Sequence, residues 1–305
     1  MKPFIKPALF ISALCCCGYT YGDVEKTLQY TSDLDKGEKV CFSGDNSSID
    51  IVKGNSDVVV YDVKMVYTKD SREKAEETFD KVEWTFTEGS KTQLEEKIRK
   101  HKKVKNLDIF VTITLPDNHP LDISTVNGYV KTEDDFQTDV TVKSVNGDIK
   151  WEGNIGGSLS VKNVNGYISA ENIEKDCCAT AVNSNITLGT IGGELETRTV
   201  NGEIKVKEAG SSISANTVNG GISLALSKET TGPVKIKSVN GDIKTGCPES
   251  LETTITARSN NGHLSCNKSL KITKMKKGKL EGTSGDGSVS LNIKSTNGNV
   301  TIETY

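Results

Sequence analysis

From Leu121 onward, apolar and polar residues alternate in short runs that break at a recurring Val-Asn-Gly. The phrase reads LDISTVNGYV from Leu121, VTVKSVNGDI from Val140, LSVKNVNGYI from Leu159, LETRTVNGEI from Leu195, ISANTVNGGI from Ile213 and VKIKSVNGDI from Val234. Weaker copies start at Cys177, Ile255, Leu280 and Leu291. Numbered by their asparagines, the copies fall at 127, 146, 165, 183, 201, 219, 240, 261 and 297, with Asp286 standing in once. The first seven spacings lie between 18 and 21, and the last two are 25 and 11. A fixed period of this size marks stacked repeats.

Asn-Gly between apolar runs is also a strong hairpin signal. A two-residue hairpin would set Val145 against Asp148, Ser144 against Ile149 and Lys143 against Lys150. Each face would then mix core and solvent residues, and the lysine pair would repel. Stacked coils remove the conflict. Six before the asparagine stand Leu121, Val140, Leu159, Cys177, Leu195, Ile213, Val234 and Ile255. Apolar or small residues recur four before, three after and five after it, separated by polar ones. That is period-two strand patterning on both sides of a corner. Ser or Thr usually sits two before the asparagine, where a hydroxyl can bond along the stack.

The expected fold is therefore mainly β: a parallel β-solenoid, a single-stranded β-helix of about nine or ten coils. One coil buries about five apolar side chains at roughly 1.5–3 kcal/mol each. Ordering its backbone costs roughly 1–2 kcal/mol per residue, so a coil is stable only between neighbours. Adjacent coils about 4.8 Å apart give a rod roughly 45 Å long.

Residues 23–118 lack the repeat and read as a small β-rich or α+β cap, with the solenoid at 119–305. Strands are expected around Ser48–Val52, Asp57–Tyr67, Val82–Thr87 and Asn106–Leu115. A short helix is expected from Asp70 to about Lys81, with Ala75 and Phe79 on one face. Such a cap would cover the open edge of the first coil.

Composition fits a thin, turn-rich β protein: 28 glycines and only 6% aromatics in 305 residues. A formal charge of −3 gives no reason to expect a nucleic-acid partner. Residues 1–22 read as a secretion signal, with Lys2 and Lys6, an apolar stretch from 8 to 17, and Thr20 and Gly22 before the cut. The apolar stretch ends in Cys15, Cys16 and Cys17, which are candidates for lipidation. Leu14 suits a lipoprotein signal ending at Cys17, but Cys16 stands where a small residue is usual, so plain cleavage fits better. Five cysteines remain, an odd number that forms no closed disulfide framework. Cys177 fills a core position, and Cys247 with Cys266 is the one conceivable bridge.

Candidate chemistry is sparse. His101, His119 and His263 belong to no catalytic or metal motif, and no cofactor signature appears. The basic run from Lys97 to Lys105 lacks interleaved aromatics and reads as a solvated turn. The outward columns are more informative. Lys143, Lys162, Arg198, Lys237, Arg258 and Lys294 stand three before their asparagines, and Asp148, Glu203 and Asp242 two after. Stacking would turn them into charged stripes. These keep a β surface soluble or meet an extended partner.

LPDNHPLDISTVNGYVKTED, entering the array, and the recurring SVNGDIK phrase resemble a bacterial family of unknown function whose members are described as candidate adhesins. The resemblance covers roughly residues 40–305. It implies an exported parallel β-solenoid without assigned catalytic residues or cofactor. The expected function is thus a non-enzymatic envelope or cell-surface protein, in the periplasm, outer envelope or at the surface. It would hold a protein or glycan partner in an adhesin-like way or act as a scaffold. One alternative is an envelope-stress sensor signalling through the cap. Another is a polysaccharide-active enzyme using Asp148, Glu203 or Asp242.

Overall fold

The computed structural model describes residues 23–69, 71–99 and 104–305. The secretion signal and Cys15, Cys16 and Cys17 lie outside the described residues. Among these the chain forms 25 strands and one helix, all strands joined in one mixed sheet.

The repeat stacks in parallel with matched columns. Leu121–Asn127 runs beside Val140–Asn146, with Leu121 next to Val140, Ile123 next to Val142 and Asn127 next to Asn146. Beyond the corner, Val130 lies next to Ile149. The same register continues coil by coil through Asn165, Asn183, Asn201, Asn219 and Asn240. The Ser184 coil departs from Val-Asn-Gly but keeps this register, Gly166 beside Ser184, and both it and the Asn165 coil run through the corner as continuous strands. The inward columns are buried as expected, except Leu264 and Cys266 of the Asn261 coil, which are half-buried. A third, short side closes each early coil through parallel bridges linking Phe136, Ile155, Ile173 and Ile191. Trp151 packs edge-on against Phe136 with ring centres 5.5 Å apart.

The array begins earlier than the Val-Asn-Gly phrase. Lys39–Gly44 and Ser47–Lys53 form a full coil with Asn46 at its corner. Val40 lies beside Leu121, Phe42 beside Ile123 and Ile49 beside Val130. The stretch read as repeat-free thus holds one copy, in which Asp45 and Ser47 replace valine and glycine. Outside this coil, Lys91–Ile98 and Leu107–Leu115 extend the two faces in parallel. Val82–Thr87, Val58–Tyr67 and Val24–Asp33 then pair antiparallel. The helix is Arg72–Phe79, and it buries Ala75 and Phe79 as its pattern predicts.

The far end corrects the order of the copies. Val234–Asn240 pairs with Val289–Asn297, whose other edge pairs with Thr253–Ser259. After the corner, Ile243 lies beside Val300 and Val300 beside Leu264. The spatial order is therefore Asn240, Asn297, Asn261. Lys279–Thr283 and Lys271–Lys276 add an antiparallel hairpin to the outside of Thr253–Ser259. Leu280 does not start a repeat: it lies beside Ala257 in that hairpin. Asp286 is not a corner residue either. Its carboxylate accepts the Ser288 N–H at 2.8 Å, in a turn where Gly285 and Gly287 take φ of 61° and 75°. Those left-handed glycines reverse the chain and send the last coil back into the stack. The corners number ten, with Asn46 added and Asp286 removed.

The inserted coil also separates Cys247 from Cys266. Cys247 lies beside Thr304 and Cys266 beside Ile302, on opposite sides of Val300–Thr304. Two strand spacings amount to about 9.5 Å, beyond the roughly 7 Å a disulfide spans. Both thiols are free. Cys177 sits in its core column, and burial pushes its thiol to about 12.

Candidate functional site

The corner builds the most regular surface of the molecule. The ten corner asparagines form one ladder of nine side-chain hydrogen bonds, each 2.7 to 2.9 Å long. Every Nδ2 donates to the Oδ1 of the neighbour nearer Asn46. The ladder passes from Asn240 to Asn297 and ends at Asn261. Gly147 illustrates the residue that follows: its φ is 156°, and a Cβ there would overlap the Gly128 carbonyl. The hydroxyl column secures the same carbonyls. Thr125 donates to Ser47 O at 3.0 Å, Thr217 to Gly202 O at 3.2 Å and Ser238 to Gly220 O at 3.0 Å.

Beside the ladder runs a row of valines. Val126, Val145, Val182, Val200, Val218 and Val239 remain 38% to 42% exposed. That is unusual for six apolar residues in register, and it leaves a narrow apolar strip next to the amides. The sequence signal for both features is the recurrence of asparagine, usually preceded by valine, at the centre of the phrase.

The charged columns lie on opposite sides of this corner. On the side before it, Lys143 adjoins Lys162, while Thr180 separates Lys162 from Arg198 and Asn216 separates Arg198 from Lys237. Lys237, Lys294 and Arg258 are direct neighbours in that order. On the side after it, the carboxylates are kept apart. Gly221 lies in the coil between Glu203 and Asp242, which with Lys205 and Lys244 line a shallow groove. Glu203 pairs with Lys205 at 2.8 Å. Asp242 accepts the Asn299 N–H at 2.7 Å, and so ties adjacent coils together. Asp148 stands in a different part of the column, where its backbone carbonyl accepts the Val130 N–H at 2.9 Å. The basic and acidic candidates are not brought into one cluster.

Two buried carboxylates lie at the cap. Glu96 accepts from Ser47 Oγ at 2.5 Å and from the Asn46 N–H at 3.2 Å, beside the start of the ladder. Burial raises its carboxyl above the usual range despite these bonds. Glu38 accepts from Thr92 Oγ1 at 2.7 Å. Both serve as staples between the first coil and the cap strand Lys91–Ile98. Among the described residues no group of three or more His, Cys, Asp or Glu is placed to hold a metal, and no helix is long and apolar enough to cross a membrane.

A family model described as Toastrack DUF4097 matches residues 39–303. It begins at the first strand of the Asn46 coil. No curated protein matches the chain. Among solved structures, a candidate adhesin from Parabacteroides merdae is 12% identical, covering 91% of this chain and 96% of its own, with a TM-score of 0.43. A candidate adhesin from Bacteroides fragilis is 13% identical, covering 91% and 97%, with a TM-score of 0.31. A candidate lipid-binding protein from Parabacteroides distasonis is 12% identical, covering 91% and 97%, with a TM-score of 0.39. At these TM-scores the three carry no functional argument.

Proposed function

We propose that this chain, which belongs to the Toastrack DUF4097 family, is an exported, non-enzymatic binding protein of the cell envelope or surface. Its scaffold is a single-stranded parallel β-solenoid of ten coils, capped by residues outside the Asn46 coil. The observation that carries the reading is the uninterrupted corner. Ten levels repeat one amide, with exposed valines alongside and charged columns to either side. A repeating, rigid, one-dimensional surface suits an extended protein or glycan partner better than a small substrate, which needs a concave pocket. The sequence of residues 1–22 supports export with cleavage before Asp23. Chemical cross-linking in intact cells, followed by fractionation and mass spectrometry, tests this. The expected result is recovery in the envelope or medium, lacking residues 1–22 or lipidated at a cysteine, with cross-links from outward columns to one partner. Recovery of the full-length chain in the cytosol, free of any envelope partner, would sink the reading.

A further inference from the structure

Insertion of the last coil reorders the basic column. Lys237 lies beside Lys294, Lys294 beside Arg258, Arg258 beside Lys279, and Lys279 beside Lys276. Five cations thus occupy five adjacent strands, a straight row roughly 19 Å long at about 4.8 Å per strand. Elsewhere in the column at most two adjoin: Lys143 and Lys162 are flanked by Ser124 and Thr180.

Nothing in the fold requires this row. Like charges directly opposite one another destabilise a sheet. Lys237, Lys294 and Arg258 make no ion pair among the described residues. Glu281 is the one acid on the outward side of these five strands, and Lys279 bonds it. Lys235, Lys271 and Lys274 lie beside the row. Eight basic side chains against one acidic make this surface strongly positive in a chain whose net charge is −3. At the hairpin the row opens onto a cleft of about 750 Å³ lined by Asn260, Asn261, His263, Met275 and Lys277. There Asn261 ends the ladder as a donor to Asn297, and its own Oδ1 accepts no hydrogen bond among the described residues.

We propose that this row binds a linear anionic polysaccharide laid across the strands, with its acidic groups on the five cations and a chain end or branch in the Asn261 cleft. The inference rests on the surface-binding reading above. The chemistry favours a polysaccharide over other polyanions. Asn292 and Thr256, in the adjacent outward positions, supply hydrogen-bonding groups for hydroxyls. No aromatic side chain stands on the row to stack a nucleobase. The exposed Ile272 and Met275 lie opposite Gly282 and Leu280, on the inward side of the hairpin. They are not placed to enter a bilayer while the row faces it.

The test uses the purified full chain in biolayer interferometry. The probes are polygalacturonate for carboxylates, dextran sulfate for sulfates, and neutral dextran. At least one polyanion is expected to bind and neutral dextran not. Five counterion-releasing contacts predict a loss on the order of a hundredfold between about 50 and 200 mM salt. The variant K237N/K294S/R258T installs side chains that other coils already carry in this column, at Asn216, Ser124 and Thr180. It is expected to weaken binding at least tenfold on the order-of-magnitude charge argument and to flatten the salt dependence. The control K36S/K175S/K228S removes the same charge elsewhere and should change affinity less than about twofold. Circular dichroism checks both folds, and K294S alone replaces the triple variant if that one unfolds. Equal losses in triple variant and control would overturn the row. So would binding to phosphatidylglycerol vesicles or single-stranded DNA but to neither polysaccharide. If neither polyanion binds while the envelope cross-link persists, the row falls and the surface reading stands. If both fail, both fall.

Discussion

Replacing Gly220 by alanine tests whether the corner glycines exist for close stacking. A Cβ on Gly220 would stand 2.6 Å from the Gly202 carbonyl carbon and closer still to its oxygen. Comfortable carbon–carbon contact needs roughly 3.5–4.0 Å, so the two coils must part by about 1 Å. That movement cannot stay local. The Gly220 N–H donates to Asn240 O at 3.0 Å, and the Gly202 N–H to Asn219 O at 3.0 Å. Overpacking of this kind costs typically about 1–3 kcal/mol, and weakening one hydrogen bond adds about 0.5–1.5 kcal/mol. G220A should therefore be destabilised by about 2–4 kcal/mol. Gly210 is the matched control. A Cβ there meets nothing nearer than the Ile191 carbonyl oxygen at 3.6 Å, and its φ lies outside the left-handed region. Alanine at such a site stabilises by about 0.4–1 kcal/mol, through the unfolded chain. Urea unfolding followed by far-ultraviolet circular dichroism compares the two. Equal midpoints for G220A and G210A would refute the stacking argument.

Three further outcomes are expected. N183A and N201A each remove two ladder bonds, but together they remove three because one is shared. Each single variant should cost about 1–2 kcal/mol, and the double should fall short of their sum; strict additivity in urea unfolding argues against a ladder. Because burial raises the Glu96 carboxyl, the folded protein holds that proton more tightly than the unfolded chain. Its contribution to stability is present below the usual carboxylate range and is lost as pH rises through the raised value. E96Q should lack that loss, and a wild-type slope in E96Q above the usual carboxylate range would contradict it. In the native protein a maleimide should label half-buried Cys178 well before buried Cys177, whose thiol lies at about 12. A Cys247–Cys266 linked peptide from protein purified under oxidising conditions would contradict the inserted coil.

The seven coils from Asn127 to Asn240 are legible because each column position repeats, so facing residues can be tested one against another. The Asn46 coil escapes a search for Val-Asn-Gly because Asp45 and Ser47 flank its asparagine. Its core residues Val40, Phe42, Ile49 and Ile51 nevertheless stand at the expected offsets, and a search by column finds them. The bridge residues Phe136, Ile155, Ile173 and Ile191 each stand ten before the next asparagine, a column that a count from the preceding corner breaks up. The order of the last coils is not encoded in the columns at all. Coils that share columns can stack in any sequence, and only the odd spacings of 25 and 11 mark the disturbance. For that reason the five-cation row was not visible: Lys276 and Lys279 belong to no repeat, and Lys294 lies far from Lys237 in the chain. Asp286 falls in the same disturbed stretch, where spacing alone does not separate a corner from a turn.

Residues 289–305 follow the Asn261 coil in the chain but precede it in the rod, and this matters while the protein is being made. The Asn261 coil emerges from the ribosome, or across a membrane, before residues 289–305 exist. Its finished neighbour at that moment is the Asn240 coil, whose columns match its own. Each nascent chain therefore meets a well-fitting but incorrect partner. Either that slot stays open until residues 289–305 have been made, or a formed layer must be peeled away to admit them. Layer-by-layer growth serves as far as Asn240. Beyond it residues 289–305 act as a keystone, and this part of the rod can be closed only after they have been made.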